Sequence, residues 1–163
     1  MKTTCVVEAL QSSAFFSGCA DDHLKRLADI CRLVEFPARS TVFEEYAPAR
    51  EVYVILSGEI SLAICEPADA CKQIAVVHAG DLLGWSPLVG RARLYDTART
   101  LTPVTALAFD GDALMKFCAA NPVFGFQFMH RVASTLAERL SGTRLQLLEM
   151  SGVHLPEFPM ESD

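Results

Sequence analysis

Cysteine and histidine are the residue types in this chain that could ligate a metal ion or form a nucleophile and its base. The six cysteines contain no CxxC pair, and the four histidines contain no His-x-His or HExxH pattern. We therefore expect no metal, no cofactor and no enzymatic activity. Unpaired thiols of a reduced protein are the simpler interpretation, and paired thiols of an extracellular domain are the alternative that spacing leaves open. The six cysteines are Cys5, Cys19, Cys31, Cys65, Cys71 and Cys118, and the four histidines are His23, His78, His130 and His154.

Composition and charge limit the classes of partner. The chain has 163 residues, is 51% apolar and carries a formal net charge of −6, which indicates one globular domain with a sizeable core. That charge disfavours non-specific nucleic-acid binding and anionic membranes. No apolar run approaches a membrane span, and Glu8 interrupts the N-terminus before a signal-peptide core can form. We expect a cytoplasmic protein.

Short β-branched segments separated by turn residues fill the middle of the chain, from Ser40 to Asp110. Ser57-Gly58-Glu59 has the spacing of a tight hairpin, and Gly80 and Gly84 mark turns that favour glycine. Successive strands without intervening helices predict a mainly β fold, an antiparallel β-roll or jelly roll with flanking helices. The predicted strands include Thr41-Phe43, Val52-Leu56, Ile60-Ile64, Ile74-Val77 and Val104-Phe109.

Helical periodicity precedes and follows these strands. A first helix is predicted over residues 20 to 33, a short one near Asp112 to Ala119, and a long one over 123 to 150. The long helix carries an apolar seam that could pack against a second copy and form a homodimer, or pack on its own β-core. The seam residues are Met129, Ala133, Leu136, Leu140, Thr143, Leu147 and Met150, with Val132, Leu145 and Leu148 off the seam.

The C-terminal residues 151 to 163, with two prolines and three acids, are predicted to be a flexible tail. Residues 1 to 150 are then one domain that includes the dimerisation helix at 123–150. We expect no helix-turn-helix domain, because an acidic tail of this length cannot hold one.

This order of elements resembles the cyclic-nucleotide-binding domain of the catabolite-activator family of bacterial sensors. The resemblance covers about residues 15 to 150 and rests on three stretches in the right order. These are the segment Phe36 to Phe43, the hairpin segment Tyr53 to Ile60, and Ala79-Gly80-Asp81-Leu82-Leu83-Gly84 followed by Asp96-Thr97-Ala98. Arg39 stands where the family commonly has a turn glycine. Unlike the closely spaced N-terminal cysteines of iron–sulfur relatives, Cys5, Cys19 and Cys31 are interpreted as buried structural thiols.

The resemblance implies a ligand site, which we name the cassette (residues 84–98). In the family a Gly-Glu pair opens a short helix that holds the cyclic phosphate and ribose, and an Arg-Ser/Thr-Ala segment binds the phosphate. Here Gly84, Thr97 and Ala98 match, but Trp85 replaces the glutamate and Asp96 replaces the arginine. Losing that cation and adding an anion should lower cyclic AMP affinity by well over tenfold. The implied ligand residues are Gly84, Trp85, Ser86, Asp96, Thr97, Ala98, Arg99 and Thr143.

Several of these residues have two interpretations. Arg91, Arg93 and Arg99 could replace the lost arginine or be solvated loop residues. Trp85 could close the pocket or offer an aromatic face to a ligand. Thr143, which matches a hydroxyl residue that reaches the base in the family's dimers, could instead be a small residue at a helix crossing.

The sequence thus predicts a regulatory or sensory module that binds a nucleotide or other metabolite in the β-roll and relays it through the C-terminal helix. The alternative is a ligand-free docking domain with a closed pocket that recognises an unidentified protein partner. We expect a homodimer in either case, with no DNA and no membrane as partners.

Overall fold

The computed structural model describes residues 2–65 and 70–152. Two four-stranded antiparallel sheets form a β-roll, and the helices lie before and after it in sequence. The first sheet has the order β1-β8-β3-β6 and the second β2-β7-β4-β5. The strands are β1 Cys31–Phe36, β2 Thr41–Phe43, β3 Glu51–Ser57, β4 Ile60–Cys65, β5 Cys71–Val77, β6 Leu82–Leu83, β7 Thr97–Thr100 and β8 Val104–Asp110. This confirms the mainly β fold.

Four α-helices accompany the roll within the described ranges. They are α1 Lys2–Ser12, α2 Asp21–Leu27, α3 Gly111–Ala120 and α4 Pro122–Ser151, and two 3-10 turns cover Ala14–Phe16 and Ser86–Val89. The predicted first helix over 20–33 is wrong beyond Leu27, because Cys31 to Phe36 pair with β8 as strand β1. The predicted short and long C-terminal helices are confirmed to within one residue.

The central strands of the first sheet, β3 and β8, are buried on both faces. Val52, Val54, Leu107 and Phe109 face a cluster that includes the helices, whereas neighbouring residues such as Ile55 face the interior of the roll. Successive side chains of a strand point to opposite faces of the sheet. Because both faces are buried at β3 and β8, their sequences are nearly continuous apolar runs.

Close contacts join the last two helices to each other, to the turn at Pro87 and to the N-terminal segment. A Cβ at Gly125 of α4 would lie 2.6 Å from the carbonyl oxygen of Cys118 in α3, and a Cβ at Gly111 would lie 2.5 Å from the Pro87 side chain. The Arg131 guanidinium of α4 donates hydrogen bonds to the carbonyl oxygens of Phe15 and Ser17. Helix α4 is therefore attached to α3 and to the N-terminal segment.

The cysteines differ from the expectation of six unpaired thiols. Cys65 and Cys71 form a disulfide across the end of the β4–β5 hairpin, where they are direct register partners. The two cysteines are six residues apart in sequence, and that spacing alone does not show that they pair. The pairing depends on the register of the hairpin, which places them opposite each other. Cys5 is exposed, so its interpretation as a buried thiol is also wrong, while Cys19 and Cys31 are half-buried.

The predicted tail begins inside the structure, since α4 continues to Ser151. Residues 153–163 lie outside the described residues. No helix in the described part of the chain is both long enough and apolar enough to cross a membrane.

Candidate functional site

Gly84 makes the turn that opens the cassette. Its φ of 70° lies in the left-handed region, and a Cβ there would be 2.7 Å from the carbonyl oxygen of Glu51. Any other residue would therefore meet both strain and a clash. The chain then enters the 3-10 turn Ser86–Val89, with Trp85 at its N-cap and Ser86 buried.

An aromatic stack covers the cassette. The Trp85 and Tyr95 rings are nearly parallel, with centroids 6.2 Å apart. The Arg91 guanidinium carbon lies 4.9 Å from the Tyr95 centroid, within cation–π distance. Since Trp85 and Arg91 both stack on Tyr95, this arrangement favours the closing role of Trp85 over an open aromatic face.

Two opposite charges, on Asp96 and Arg139, line the same small cavity. Asp96 is half-buried, and burial raises the pKa of its carboxyl group, while the nearby Arg139 lowers it and Glu45 raises it further. Arg139 comes from α4 and donates a hydrogen bond to the carbonyl oxygen of Leu82. Its pKa is lowered by burial, and Asp81 and Asp96 act in the opposite direction. A cation from α4 thus partly compensates the anion of the cassette.

The space between these groups is almost filled. A cavity of about 10 Å³ remains, lined by residues that include Gly84, Trp85, Ser86, Asp96 and Arg139. That is about the room one water molecule needs. Among the described residues, every buried side-chain nitrogen or oxygen has a hydrogen-bond partner. The closed cassette therefore presents no orphaned buried side-chain group to a ligand.

The structure separates the other predicted ligand residues from this cavity. The Thr97 hydroxyl oxygen accepts a hydrogen bond from the Glu45 amide at 3.0 Å, and Ala98 is buried against the roll interior opposite Leu62. Arg99 is exposed and lines a second cavity of about 270 Å³ on the outside of β7. None of the three lines the small cavity.

Thr143 lies at a third place, in a groove of about 270 Å³ between α4 and β5. Its hydroxyl donates to the Arg139 carbonyl oxygen at 3.0 Å, a bond within its own helix. The groove and the small cavity share Arg139, which lies between them.

Arg139 is the cation that sequence reasoning missed. Of the three proposed arginines, Arg91 stacks on Tyr95, and Arg93 donates to the Tyr46 carbonyl oxygen at 2.9 Å. Arg139 lies far from the cassette in sequence, next to the seam residue Leu140. The sequence feature that could have indicated Arg139 is a charged residue on the side of α4 that faces the roll.

The predicted seam divides into two parts. Met129 and Leu136 pack partly on the chain's own core, as the alternative interpretation of the seam expected. The later residues are exposed, with 57% of Leu140 and 61% of Leu147 accessible. Ala133 and Thr143 are also exposed. Off the seam, Val132 is buried in the core and Leu145 is exposed.

No group of three or more histidine, cysteine or acidic residues is arranged to hold a metal ion in residues 2–65 and 70–152.

The chain is similar in sequence to two bacterial transcriptional regulators. The chain is 26% identical over 149 residues to the CRP-like cAMP-activated global transcriptional regulator of Mycobacterium tuberculosis, covering 91% of this chain and 65% of that protein. It is 28% identical over 135 residues to the HTH-type transcriptional regulator Cmr of the same species, covering 83% and 53%. The chain spans less than two thirds of either relative. These relatives are regulators.

Solved structures share the fold. A cyclic nucleotide-binding domain from Methylobacillus flagellatus aligns with a TM-score of 0.74 at 19% identity, covering 96% of this chain and 86% of that one. The c-di-GMP responsive global regulator CLP of Xanthomonas campestris also gives 0.74, at 17% identity, covering 83% and 66%. The family model described as cyclic nucleotide-binding domain matches residues 33–121. Since that match spans more than half of the chain, the protein belongs to the cyclic nucleotide-binding domain family.

Proposed function

We propose that the chain is a regulatory module whose cassette is closed by its own side chains, so that α4 docks on the roll without cyclic AMP. The observation that carries this proposal is the cavity of about 10 Å³, lined by Trp85 and Asp96 and bounded by Arg139 of α4. An anion at position 96 repels a cyclic phosphate, and Trp85 fills space where a ligand would lie.

Arg139 supports a relay from the cassette to α4. It bonds the Leu82 carbonyl oxygen and lies in the field of Asp81 and Asp96, so a change in these charges alters the docking of the helix. Any ligand or partner that binds one position of α4 more tightly than another will shift this equilibrium. We also propose a homodimer through the exposed part of the α4 seam, a cytoplasmic location, and no DNA partner, given the net charge of −6.

The test is a thermal-shift measurement with cyclic AMP at millimolar concentration. The wild type should not respond, whereas Trp85→Glu combined with Asp96→Arg should restore both family residues and bind. A ligand at 100 times its dissociation constant adds about 2.7 kcal/mol, or a shift of about 5 to 11 °C in a domain of this size. Trp85→Gln with Asp96→Asn is the matched control, because it removes the bulk and the anion without adding a cation. A wild-type response to cyclic AMP contradicts the closed cassette.

The groove between α4 and β5 favours a second candidate, a sensor of another small ligand. It is open, has a volume of about 270 Å³ and reaches both Arg139 and Thr143. A panel of linear nucleotides, small carboxylates and aromatic metabolites tests it. A shift that is lost in both Arg139→Gln and Thr143→Val but kept in Arg144→Gln would support binding in this groove. Thr143 lines the groove and not the small cavity, and Arg144 is exposed elsewhere on the same helix.

A further inference from the structure

The disulfide between Cys65 and Cys71 lies at the end of the β4–β5 hairpin where the connecting loop begins, outside the cassette. Cys71 is exposed and Cys65 is half-buried. Both cysteines line the cavity of about 270 Å³ that also contains Arg99. A small thiol therefore has access to the sulfur–sulfur bond, which is the requirement for thiol–disulfide exchange.

Glu45 connects this disulfide to the cassette. Its carboxylate oxygen accepts a hydrogen bond from the Cys65 amide at 3.2 Å, and its own amide donates to the Thr97 hydroxyl oxygen at 3.0 Å. Thr97 directly follows Asp96. Two hydrogen bonds of Glu45 thus connect Cys65 of the disulfide to Thr97 of strand β7.

Two of the other thiols in the described part of the chain are poorly suited to exchange. Burial raises the pKa of Cys31 to about 12 and that of Cys118 to about 11, so both remain protonated at neutral pH. The thiolate is the reactive form, and protonation makes these groups poor nucleophiles. Cys5 is exposed and is therefore the thiol that the experiments below must control for.

We propose that Cys65–Cys71 is a reversible exchange site for a dithiol reductant, and that Glu45 transmits its redox state to the cassette. This goes beyond the proposed function, because it does not depend on whether the cassette binds a nucleotide.

Reduction of Cys65–Cys71 takes two successive thiol–disulfide exchanges. A thiolate of the dithiol attacks the Cys71 sulfur, a mixed disulfide forms, and Cys65 leaves as a thiolate that takes up a proton. The second thiol of the reductant, as its thiolate, then attacks the mixed disulfide, and Cys71 leaves as a thiolate that is protonated in turn. The protein disulfide gains two electrons and two protons, and the dithiol is oxidised to its own disulfide.

The site is tested by alkylation of the denatured full chain, with and without dithiothreitol. The oxidised protein should take up four alkyl groups, at Cys5, Cys19, Cys31 and Cys118, and the reduced protein six. Peptide mapping should place the two additional groups on Cys65 and Cys71. If these cysteines are already alkylated without reduction, even after air or diamide oxidation, the site is overturned.

The coupling is tested by fluorescence, because Trp85 is the single tryptophan and lies in the cassette. Reduction should shift its emission to longer wavelength and lower the Tm by about 5 to 10 °C, as expected for opening a short disulfide loop. The double variant Cys65→Ser/Cys71→Ser should match the reduced wild type and ignore dithiothreitol. Cys5→Ser should behave as the wild type.

Variants at Glu45 separate transmission from a general loss of stability. Glu45→Ala should remove the emission shift while leaving the alkylation pattern unchanged, whereas Glu45→Gln keeps an acceptor oxygen and should keep the shift. Glu44→Ala, at an exposed neighbouring acid, should respond as the wild type. Complete reduction with an unchanged Trp85 emission overturns the coupling.

Discussion

At the residue scale, the charge of Asp96 is the feature that distinguishes this cassette. Its carboxylate is half-buried beside Arg139, yet burial outweighs that cation, so the pKa of Asp96 lies above its ordinary value. The ionised form is therefore less favourable in the native state than in water. A phosphate placed there would be repelled by the Asp96 carboxylate, whose charged form is already disfavoured by burial.

This pKa shift predicts a dependence of stability on pH. Because the native carboxyl group binds a proton more readily than the unfolded one, stability falls as pH rises from the ordinary carboxylate pKa of about 3.9 through the native value. Asp96→Asn should therefore raise the Tm at pH 7, and its advantage should disappear near pH 3. Glu35→Gln, at an exposed acid of strand β1, is the control. An advantage that is equal at both pH values would contradict this account.

The cassette shows how much of the site the sequence could predict. Gly84, Trp85 and Asp96 were expected to lie together, and they do, because a glycine turn and a neighbouring strand fix them locally. Arg139 could not be found, since its position depends on how α4 packs on the roll. Thr97 was expected at the ligand site, but its hydroxyl bonds the Glu45 amide, a contact between distant segments.

Arg39 gives a second prediction at this scale. Its φ of 61° lies in the left-handed region, at the position where the family commonly has a turn glycine. A side chain there costs about 1 to 2 kcal/mol, partly offset by the chain entropy that glycine loses on folding. Arg39→Gly should stabilise the protein by about 0.5 to 1 kcal/mol in urea unfolding. Arg39→Ala keeps the strained backbone, so an equal gain there would contradict the explanation.

At the scale of elements, five of the eight strands were predicted, including the three-residue strand β2, whereas β1, β6 and β7 were not. Strand β7 has four residues, and its place in the sheet depends on pairing with β2 and β4. Strand β1 was included in a helix because Leu24, Leu27, Ala28 and Cys31 fit helical spacing. Pairing with β8 decides the outcome there, so tertiary contacts override the local pattern.

The attachment of α4 to the N-terminal segment depends on Arg131. Its guanidinium bonds the Phe15 and Ser17 carbonyl oxygens, and a charged hydrogen bond contributes about 1.5 to 3 kcal/mol. Arg131→Met keeps much of the apolar stem and should lower the free energy of unfolding by about 2 kcal/mol. Arg144→Met, on the exposed part of the same helix, should change it little. Equal effects of the two variants would remove the special role of Arg131.

At the scale of the whole molecule, the C-terminal part of α4 exposes apolar side chains that a second surface could bury. Leucine side chains there remain accessible along the seam, and a second copy would bury them against identical residues. The proposed dimer follows from this exposure together with the heptad spacing.

Light scattering tests the dimer directly. The wild type should have twice the 17.8 kDa chain mass, and Leu140→Asp should reduce it to one chain mass, because a carboxylate in an apolar seam is costly. Leu145→Asp is the matched control, since this leucine is 62% exposed but lies off the seam. A wild-type mass of one chain rejects the dimer.

The two glycine contacts described above have a mechanical consequence. Gly125 brings α3 and α4 into backbone contact, and Gly111 packs against Pro87 of the cassette. Arg139 then bonds α4 to the Leu82 carbonyl oxygen of the roll, so residues 140–151 extend beyond this anchor. At 1.5 Å per residue this overhang is about 18 Å long. A tilt of about 10° at the anchor would displace its end by about 3 Å, which is more than half of one helical turn and is felt first at the exposed residues near Leu147.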